Sequence, residues 1–437
     1  MSYTMRAVLL RLLAAGACVL AIASPARADA VAPKSAPAFR DSVGVVTHIV
    51  YYDTAYADWS RIVARLDELG VRHLREGVYG NPSPQWRDWN ERYYQAVELA
   101  ADRGIRFTFG MGRPGDGGGT IEDRIRVLSG RLRHTADALE APNEFDKYVG
   151  GPKWPSVLSA YGRKLYRKVK ATPQLRSLPV LGPSFATPDG PARVGDQRAW
   201  MDVGNIHPYT GGQSPDPQHI RTELARASVT AGSRKPVWAT EAGFHNAMRS
   251  TVGQPPVSER AGAVYLLRTF LEHFRSGIRR TYAYELIDEK PEPRLRDAEQ
   301  HFGLLRHNFS RKPAFKALKN LLTLVGRSSK RPQLRSLRMR VAGAPVRRLV
   351  LQKADGTYLV VLWREDSVWD AERRRPLRVR PGTVVLRLPS AGRVTRANPV
   401  VSARERRLGL RGRRVRVAVA GRPIVLHVTP KRLLRSR

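Results

Sequence analysis

The chain has 437 residues, which exceeds one small domain, and its hydrophobic content of 42% is enough for a sizeable core. Its formal net charge of +38 favours polyanionic partners. The single cysteine, Cys18, excludes an intramolecular disulfide and a metal site built from several cysteines.

Residues 1–30 have the pattern of a secretory signal peptide. Arg6 and Arg11 supply positive charge, an apolar stretch follows, and residues 26–28 (Ala-Arg-Ala) fit a cleavage site. A membrane anchor is the alternative, but the apolar stretch is short and Pro25 follows it. We therefore predict a secreted or extracytoplasmic protein with no transmembrane segment after signal removal.

Residues 31–326 alternate between short apolar runs typical of strands and amphipathic segments typical of helices. Eight strands that are each followed by a helix predict an α/β fold, a (β/α)8 TIM barrel. An open doubly wound sheet is the alternative, but it usually has fewer strands. The predicted strands are 43–51, 71–78, 105–111, 136–141, 178–183, 203–207, 236–240 and 280–286.

Residues 327–437 show a different sequence pattern. Short apolar runs are separated by turn signals such as Asp355-Gly356, which predicts an antiparallel β-sandwich domain. This quarter of the chain holds 30 Lys and Arg against 6 Asp and Glu. We expect this domain to bind an anionic cell-wall or matrix polymer, although an arginine-rich proteome is an equally good explanation. Few aromatic residues accompany the arginines, so we expect no nucleic-acid partner.

Polar side chains recur at the carboxyl ends of the predicted barrel strands, where barrel enzymes place their reactive groups. Two glutamates stand out because each follows an apolar run: Glu144 after strand four and Glu241 after strand seven, 97 positions apart. Two carboxylates brought to one cleft are what a retaining glycosidase uses. The other candidate substrate-binding residues are His48, Arg75, Asn143, His207, Tyr209, Tyr284 and Glu285.

With Asn143-Glu144 on strand four, His207-Pro-Tyr209 on strand six and Glu241 on strand seven, the chain resembles a clan A glycoside hydrolase, closest in pattern to families 39 and 5. The added C-terminal sandwich also resembles family 39. The resemblance implies that Glu144 is the general acid/base, with a raised pKa, and that Glu241 is the nucleophile.

The resemblance assigns supporting roles as well. Asn143 would bind the sugar 2-hydroxyl, Arg75 would keep Glu241 ionised, and Tyr209 or His207 would orient Glu241. Arg75 has an alternative partner in the neighbouring Glu76. His48 either contacts a sugar hydroxyl or belongs to the core.

One position departs from the family pattern. Strand eight often ends in a tryptophan in these enzymes, whereas this chain offers Tyr284 or Glu285.

The expected substrate is an oligo- or polysaccharide. No histidine spacing typical of a metal site is present, so neither a metal nor a cofactor is expected. A non-catalytic barrel that binds carbohydrate or cell wall, and a transglycosidase that uses the same site, are the alternatives.

Overall fold

The computed structural model describes residues 29–435. Residues 1–28 of the predicted signal peptide therefore lie outside the described part of the chain. The strands in this range are β1 (Asp29–Val31), β2 (Lys34–Ser35), β3 (Val43–Val46), β4 (His73–Gly77), β5 (Arg106–Gly110), β6 (Ala136–Glu140), β7 (Val180–Leu181), β8 (Gly204–Ile206), β9 (Val237–Ala242), β10 (Thr281–Ala283), β11 (Leu337–Gly343), β12 (Arg347–Gln352), β13 (Tyr358–Trp363), β14 (Trp369–Asp370), β15 (Arg375–Pro376), β16 (Gly382–Arg387), β17 (Ala391–Asn398), β18 (Ser402–Arg407), β19 (Arg414–Val419) and β20 (Ile424–Pro430).

The α-helices of the described chain are α1 (Ala36–Asp41), α2 (Trp59–Leu69), α3 (Arg87–Asp102), α4 (Ile121–Ser129), α5 (Phe145–Tyr148), α6 (Trp154–Ala171), α7 (Gly190–Val194), α8 (Pro217–Ala231), α9 (Glu259–Ser276), α10 (Pro313–Val325) and α11 (Lys431–Arg435). Short 3-10 helices cover Ala55–Ala57, Pro84–Trp86, Arg198–Trp200 and Glu299–His301. Among residues 29–435, none of the helices combines the length and the apolar character needed to cross a membrane.

Strands β3 to β10 form the predicted barrel. They pair in parallel in the order β7-β6-β5-β4-β3-β10-β9-β8, and a parallel bridge between Leu181 and Val203 joins the two ends of this sheet. The strands are short and mostly buried, as expected for parallel strands covered by helices. The prediction of a (β/α)8 barrel is therefore confirmed.

The helices cover the barrel because their apolar positions recur with helical spacing. In α2, Ile62, Val63, Leu66 and Leu69 are buried. The Asp58 side chain caps the first turn of this helix, and Gly70, at φ 82°, ends it in a left-handed conformation that suits glycine.

The C-terminal strands form the predicted sandwich. Its two main sheets have the orders β1-β11-β16-β19 and β18-β17-β20-β13-β12-β2, and nearly all neighbouring strands are antiparallel. The core between these sheets is aliphatic and includes Met339, Val360, Leu386 and Leu426. Residues 29–35 add one strand to each sheet, so the chain passes through the sandwich before it enters the barrel.

The molecule is layered. The second face of the six-stranded sheet contributes Leu351, Val361 and Trp363 to the same buried cluster as Phe315 and Leu318 of α10. This sheet therefore lies between the barrel helices and the four-stranded sheet. The four-stranded sheet is the outermost layer, and its second face is turned to solvent.

A loop of the sandwich also packs beside the barrel opening. The Arg268 side chain on α9 donates to the carbonyl oxygens of Gly421, at 2.6 Å, and Asp366, at 2.9 Å. The Trp369 indole donates to the Pro256 carbonyl oxygen at 3.0 Å, and the Arg374 guanidinium donates to carbonyls in the segment that follows β9. The sandwich thus holds the loop that leaves the seventh barrel strand.

We expect Arg268→Met to lower the free energy of unfolding by about 2–4 kcal/mol, because it leaves buried carbonyl oxygens of the sandwich loop unpaired. Arg268 is 1% exposed. Chemical denaturation measures the change. Arg260→Met, at an exposed position of the same helix, is the control and should shift stability by no more than about 0.5 kcal/mol. Equal effects of the two substitutions would contradict the prediction.

Candidate active site

A cleft of about 1040 Å³ lies at the carboxyl ends of the barrel strands. Eight of the nine predicted site residues line it, whereas Glu285 is fully buried and does not. The eight are His48, Arg75, Asn143, Glu144, His207, Tyr209, Glu241 and Tyr284. The barrel topology is what brings them together, since they lie in or just after six different strands, namely β3, β4, β6, β8, β9 and β10.

Glu144 lies four residues beyond the end of β6, at the start of α5. Its backbone has φ 41° and ψ 45°, a left-handed conformation that non-glycine residues adopt rarely and that is often found at functional sites. One carboxylate oxygen is 2.8 Å from His207 Nδ1, and the other is 3.7 Å from Lys147 Nζ. The carboxylate is thereby directed into the cleft next to strand β9.

Glu241 lies near the end of β9 and is held at both oxygens. Arg75 Nη1 donates to Oε1 at 2.6 Å, and the Tyr209 hydroxyl donates to Oε2 at 2.8 Å. Burial and the negative charge of Glu241 raise the pKa of Tyr209 well above its ordinary value, so this hydroxyl keeps its proton. Both contacts fix the orientation of the Glu241 carboxylate.

The two glutamates approach each other across the cleft. A carboxylate oxygen of Glu144, one of Glu241 and a ring nitrogen of His207 all lie within 4.8 Å of one another. His207 Nδ1 is also 3.5 Å from Glu241 Oε2. His207 therefore bridges the two carboxylates.

The neighbours of His207 determine where its protons lie. Its Nε2 is 2.9 Å from Thr240 Oγ1. The single hydroxyl hydrogen of Thr240 is directed to one of two acceptors, Asn205 Oδ1 at 2.7 Å or Glu140 Oε1 at 3.1 Å. Thr240 Oγ1 consequently accepts the Nε2 hydrogen of His207, and the 2.8 Å contact between Nδ1 and Glu144 holds one shared proton.

The pKa of Glu144 differs from the expectation. Burial raises it, but the hydrogen bond and charge of His207 and the positive charges of Lys147 and Arg75 outweigh burial, so the pKa of Glu144 is lowered.

The structure adds a residue that the sequence reasoning missed, Glu140. It is fully buried at the end of β6 and accepts two hydrogen bonds from the Arg75 guanidinium, at 2.7 and 2.9 Å. Asn205 Nδ2 donates to Glu140 as well, at 2.9 Å. A buried carboxylate in an otherwise apolar strand needs an oppositely charged partner. The position of Glu140 at the end of such a strand was the sequence signal by which it could have been found.

Arg75 also donates to Asn143 Oδ1 at 2.7 Å, so one guanidinium orients both Asn143 and Glu241. The alternative partner, Glu76, is instead held by Thr47 Oγ1, at 2.9 Å, and by the Ile49 backbone, at 2.8 Å.

His48 and Tyr284 form one wall of the site, and Glu285 is buried behind this wall. The His48 ring stacks on Tyr51, with centroids 4.6 Å apart, and its Nε2 is 3.5 Å from Glu285 Oε2. Burial lowers the pKa of His48 to about 4, so the ring is neutral near neutral pH. The Tyr284 hydroxyl donates to Glu299 at 3.1 Å.

Glu285 accepts a hydrogen bond from the Tyr56 hydroxyl at 2.8 Å, and its other oxygen has no partner among the described residues. Burial, followed by the negative charge of Glu289, raises the pKa of Glu285 well above its ordinary value. Glu285 is therefore a protonated residue beneath His48, and a direct contact with substrate requires movement of that wall.

We expect Glu285→Gln to become increasingly stable relative to wild type as pH rises. In the unfolded chain Glu285 ionises at pH ~4.3, whereas the folded protein keeps it protonated. The free energy of unfolding of the wild type therefore falls by up to about 1.4 kcal/mol for each pH unit above that value. Glutamine does not ionise, so the slope of the variant is shallower. Urea unfolding at pH 5 and pH 8 measures the slope, with the exposed Glu372→Gln as control. Parallel curves for wild type and Glu285→Gln would refute this account.

Two clusters of the described residues bring three potential metal ligands together: His48, Glu285 and Glu289, and Glu144, His207 and Glu241. In the first, burial favours the protonated carboxyls and raises the pKa of Glu289 to about 7. In the second, hydrogen bonds from Arg75 and Tyr209 already occupy Glu241. Neither cluster changes the sequence-based prediction of a site without metal.

Comparison with known proteins gives structural matches only. No family model matches the sequence, and no curated protein matches it. A monomeric beta-xylosidase from Caulobacter crescentus CB15 matches with a TM-score of 0.56 and 15% identity, over 93% of this chain and 98% of that chain. A GH39 beta-xylosidase structure from Caulobacter crescentus matches with a TM-score of 0.53 and 16% identity, over 92% and 98% of the two chains.

A 4-O-alpha-L-rhamnosyl-beta-D-glucuronidase from Fusarium oxysporum 12S matches with a TM-score of 0.59 and 13% identity, over 92% of this chain and 99% of that chain. These matches extend over the barrel and the sandwich together. The resemblance to clan A glycoside hydrolases is thereby confirmed at the level of fold, and this chain has a family 39-like architecture of a (β/α)8 barrel with a C-terminal β-sandwich.

Proposed function

We propose that the protein is a secreted glycoside hydrolase that cleaves an oligo- or polysaccharide with retention of configuration. The observation that carries the proposal is the approach of Glu144 and Glu241, whose oxygens lie within 4.8 Å of each other. Retaining enzymes place their carboxyl groups about 5–5.5 Å apart, and inverting enzymes about 6.5–9.5 Å apart. The glycosidases among the structural matches support a carbohydrate substrate.

In the first step a Glu241 oxygen attacks the anomeric carbon. The bond between this carbon and the glycosidic oxygen breaks as the ester to Glu241 forms, and the leaving oxygen takes a proton from Glu144. Arg75 and Tyr209 position the attacking carboxylate. Asn143, held by Arg75, is placed to bind the sugar 2-hydroxyl.

The proton for this step comes from the pair of His207 and Glu144. The proton shared over 2.8 Å between His207 Nδ1 and Glu144 Oε1 moves through Glu144 onto the leaving oxygen as that oxygen gains charge. In this way Glu144 acts as an acid although its pKa is lowered.

In the second step water attacks the anomeric carbon of the ester and gives one proton back to Glu144 and His207. The bond to Glu241 breaks, and Glu241 leaves as a carboxylate. If a sugar hydroxyl takes the place of water, the same site transfers the glycosyl group to that sugar. The proximity of both carboxylates favours either reaction over a purely carbohydrate-binding barrel.

Release of reducing sugar from a panel of polysaccharides (β-glucans, xylans, mannans and acidic exopolysaccharides) tests the proposal. Wild type should act on a member of the panel, and Glu144→Gln and Glu241→Gln should not. NMR of the first-formed product should show the anomeric configuration of the substrate. An inverted product would contradict the retaining mechanism, and undiminished hydrolysis by Glu241→Gln would contradict the assigned nucleophile.

A further inference from the structure

Two cationic side chains line the cleft on the side of Glu144. Lys147 belongs to α5, which begins directly after Glu144, and Arg113 lies in the loop after β5. The two side chains meet at Tyr148, where Arg113 Cζ is 4.7 Å and Lys147 Nζ is 5.3 Å from the centroid of the ring. Arg113, Lys147 and Tyr148 are called the Lys147 patch below. None of the three has a role in the reaction described so far.

The Lys147 patch lies where the leaving group of the substrate has to be. His207 binds Oε1 of Glu144, so Oε2 is the carboxylate oxygen that is available to the leaving oxygen. Oε2 is also the oxygen that lies 3.7 Å from Lys147 Nζ. A sugar whose linkage oxygen contacts Glu144 is therefore placed beside the Lys147 ammonium group.

Both cations can accept an anionic partner. The Lys147 side chain is 56% exposed, and its contact with Glu144 is longer than a hydrogen bond. Burial lowers the pKa of Lys147, but Tyr148, Glu144 and Glu299 raise it above its ordinary value, so the ammonium group keeps its charge. Within residues 29–435 the Arg113 guanidinium forms no ion pair and contacts the Tyr148 ring.

The charge of the patch disfavours the first step of the reaction unless an anion offsets it. Burial raises the pKa of Glu144, but His207, followed by Lys147 and Arg75, lowers it below its ordinary value. Glu144 has to deliver a proton to the leaving oxygen, and a neighbouring cation favours the ionised carboxylate instead. A carboxylate bound to Lys147 would offset this cation, so an acidic leaving group would assist the step that releases it.

The chemistry of the patch points to a carboxylate that is carried by a sugar. A guanidinium presents a planar fork that fits a carboxylate through two parallel hydrogen bonds, and Lys147 adds a second positive charge. Tyr148 is 52% exposed and supplies apolar ring surface next to both cations. Because Lys147 lies beside the place of the leaving oxygen, the carboxylate has to be attached close to the linkage.

We propose that the Lys147 patch binds the carboxylate of a uronic acid on the leaving-group side of the substrate. This uronic acid is linked through the hydroxyl on the ring carbon next to the one that bears the carboxylate. The inference rests on the proposed hydrolysis, because Glu144 as the acid defines the leaving-group side. It makes the substrate of the cleft an acidic oligo- or polysaccharide.

The test uses glycosides whose leaving group is a phenol with a carboxylate in the meta position, and matched glycosides with a carboxamide or a sulfonate there. The glycosyl part is a β-xyloside, β-glucoside, β-mannoside or β-glucuronide. The patch variant carries Arg113→Gln and Lys147→Gln. The control carries Lys153→Gln and Arg176→Gln, which remove the same charges at exposed positions that do not line the cleft.

The measured quantity is kcat/KM for the carboxylate divided by kcat/KM for the carboxamide. We expect this ratio to fall about tenfold or more in the patch variant, the equivalent of about 1.4 kcal/mol, and to stay within about twofold of wild type in the control. The ratio does not depend on the amount of folded enzyme, so partial misfolding cannot cause the fall. An unchanged ratio in the patch variant, or an equal fall in the control, would overturn the proposal. A stronger preference of wild type for the sulfonate would overturn the assigned anion.

Binding of the same glycosides to proteins that also carry Glu241→Gln separates this inference from the proposed hydrolysis. Calorimetry should show tighter binding of the carboxylate than of the carboxamide, and the patch variant should lose this difference. That result without any turnover by wild type would count against the hydrolysis and leave the anion-binding role of the patch supported. Turnover by wild type with equal binding of both glycosides would overturn the role of the patch and leave the hydrolysis supported.

Discussion

Glu241→Gly is expected to lower kcat by about 10⁴-fold or more, because the proposed two-step reaction then has no nucleophile. The substitution leaves space beside the Arg75 guanidinium and the Tyr209 hydroxyl, which contact Glu241 in the intact site. A small anion such as azide fits that environment and attacks the anomeric carbon from the same side. With an aryl glycoside that has a good leaving group, azide should restore turnover and give a glycosyl azide of inverted configuration.

Kinetics with and without azide, and NMR of the product, check this result. Glu223→Gln is the control, since Glu223 lines the cleft but pairs with Arg226 and contacts neither Glu144 nor Glu241. It should keep most of the activity. An inactive Glu241→Gly protein that folds but forms no glycosyl azide in the presence of the anion would contradict the nucleophile assignment.

Arg75→Met is expected to reduce both stability and activity. Arg75 is 8% exposed and binds Glu140, Glu241 and Asn143 together. Its removal leaves Glu140 as a buried charge without its cation, which should cost about 3–5 kcal/mol of unfolding free energy. It also releases the orientation of Glu241, and misplacement of a reacting group by about 1 Å lowers rates on the order of 10²-fold.

The double variant Arg75→Met/Glu140→Gln separates the two effects. Neutralising Glu140 removes the unpaired buried charge, so most of the stability should return while activity stays low. Urea denaturation and initial rates measure the two quantities. Recovery of activity together with stability would show that Arg75 serves only the fold, and an unchanged denaturation midpoint in Arg75→Met would contradict the buried ion pair.

Much of the fold was predictable because hydrophobic periodicity reports burial directly. The barrel strands were placed correctly, but the first was predicted over 43–51 and ends at Val46. The next residues are apolar or aromatic because His48 and Tyr51 line the cleft and Ile49 belongs to the core. Burial in a loop and burial in a strand produce the same sequence pattern, so strand ends were the weakest part of the prediction.

The candidate site was predictable where a residue stands at the end of a predicted barrel strand. Glu144, His207, Tyr209 and Glu241 reach the same cleft because parallel barrel strands all end on one side. The partner of Arg75 was not predictable. Glu76 is adjacent in sequence, but neighbouring residues of a strand point to opposite faces, so Arg75 pairs across the barrel with Glu140.

The sequence alone determined the barrel, the sandwich and the set of polar residues at the strand ends, because these depend on local periodicity and on chain order. Only the tertiary structure decided the pairing of Arg75 with Glu140, the bridge of His207 between two carboxylates and the burial of Glu285. Each of these depends on residues far apart in the chain, whose distances are set by strand register and barrel closure rather than by any local pattern.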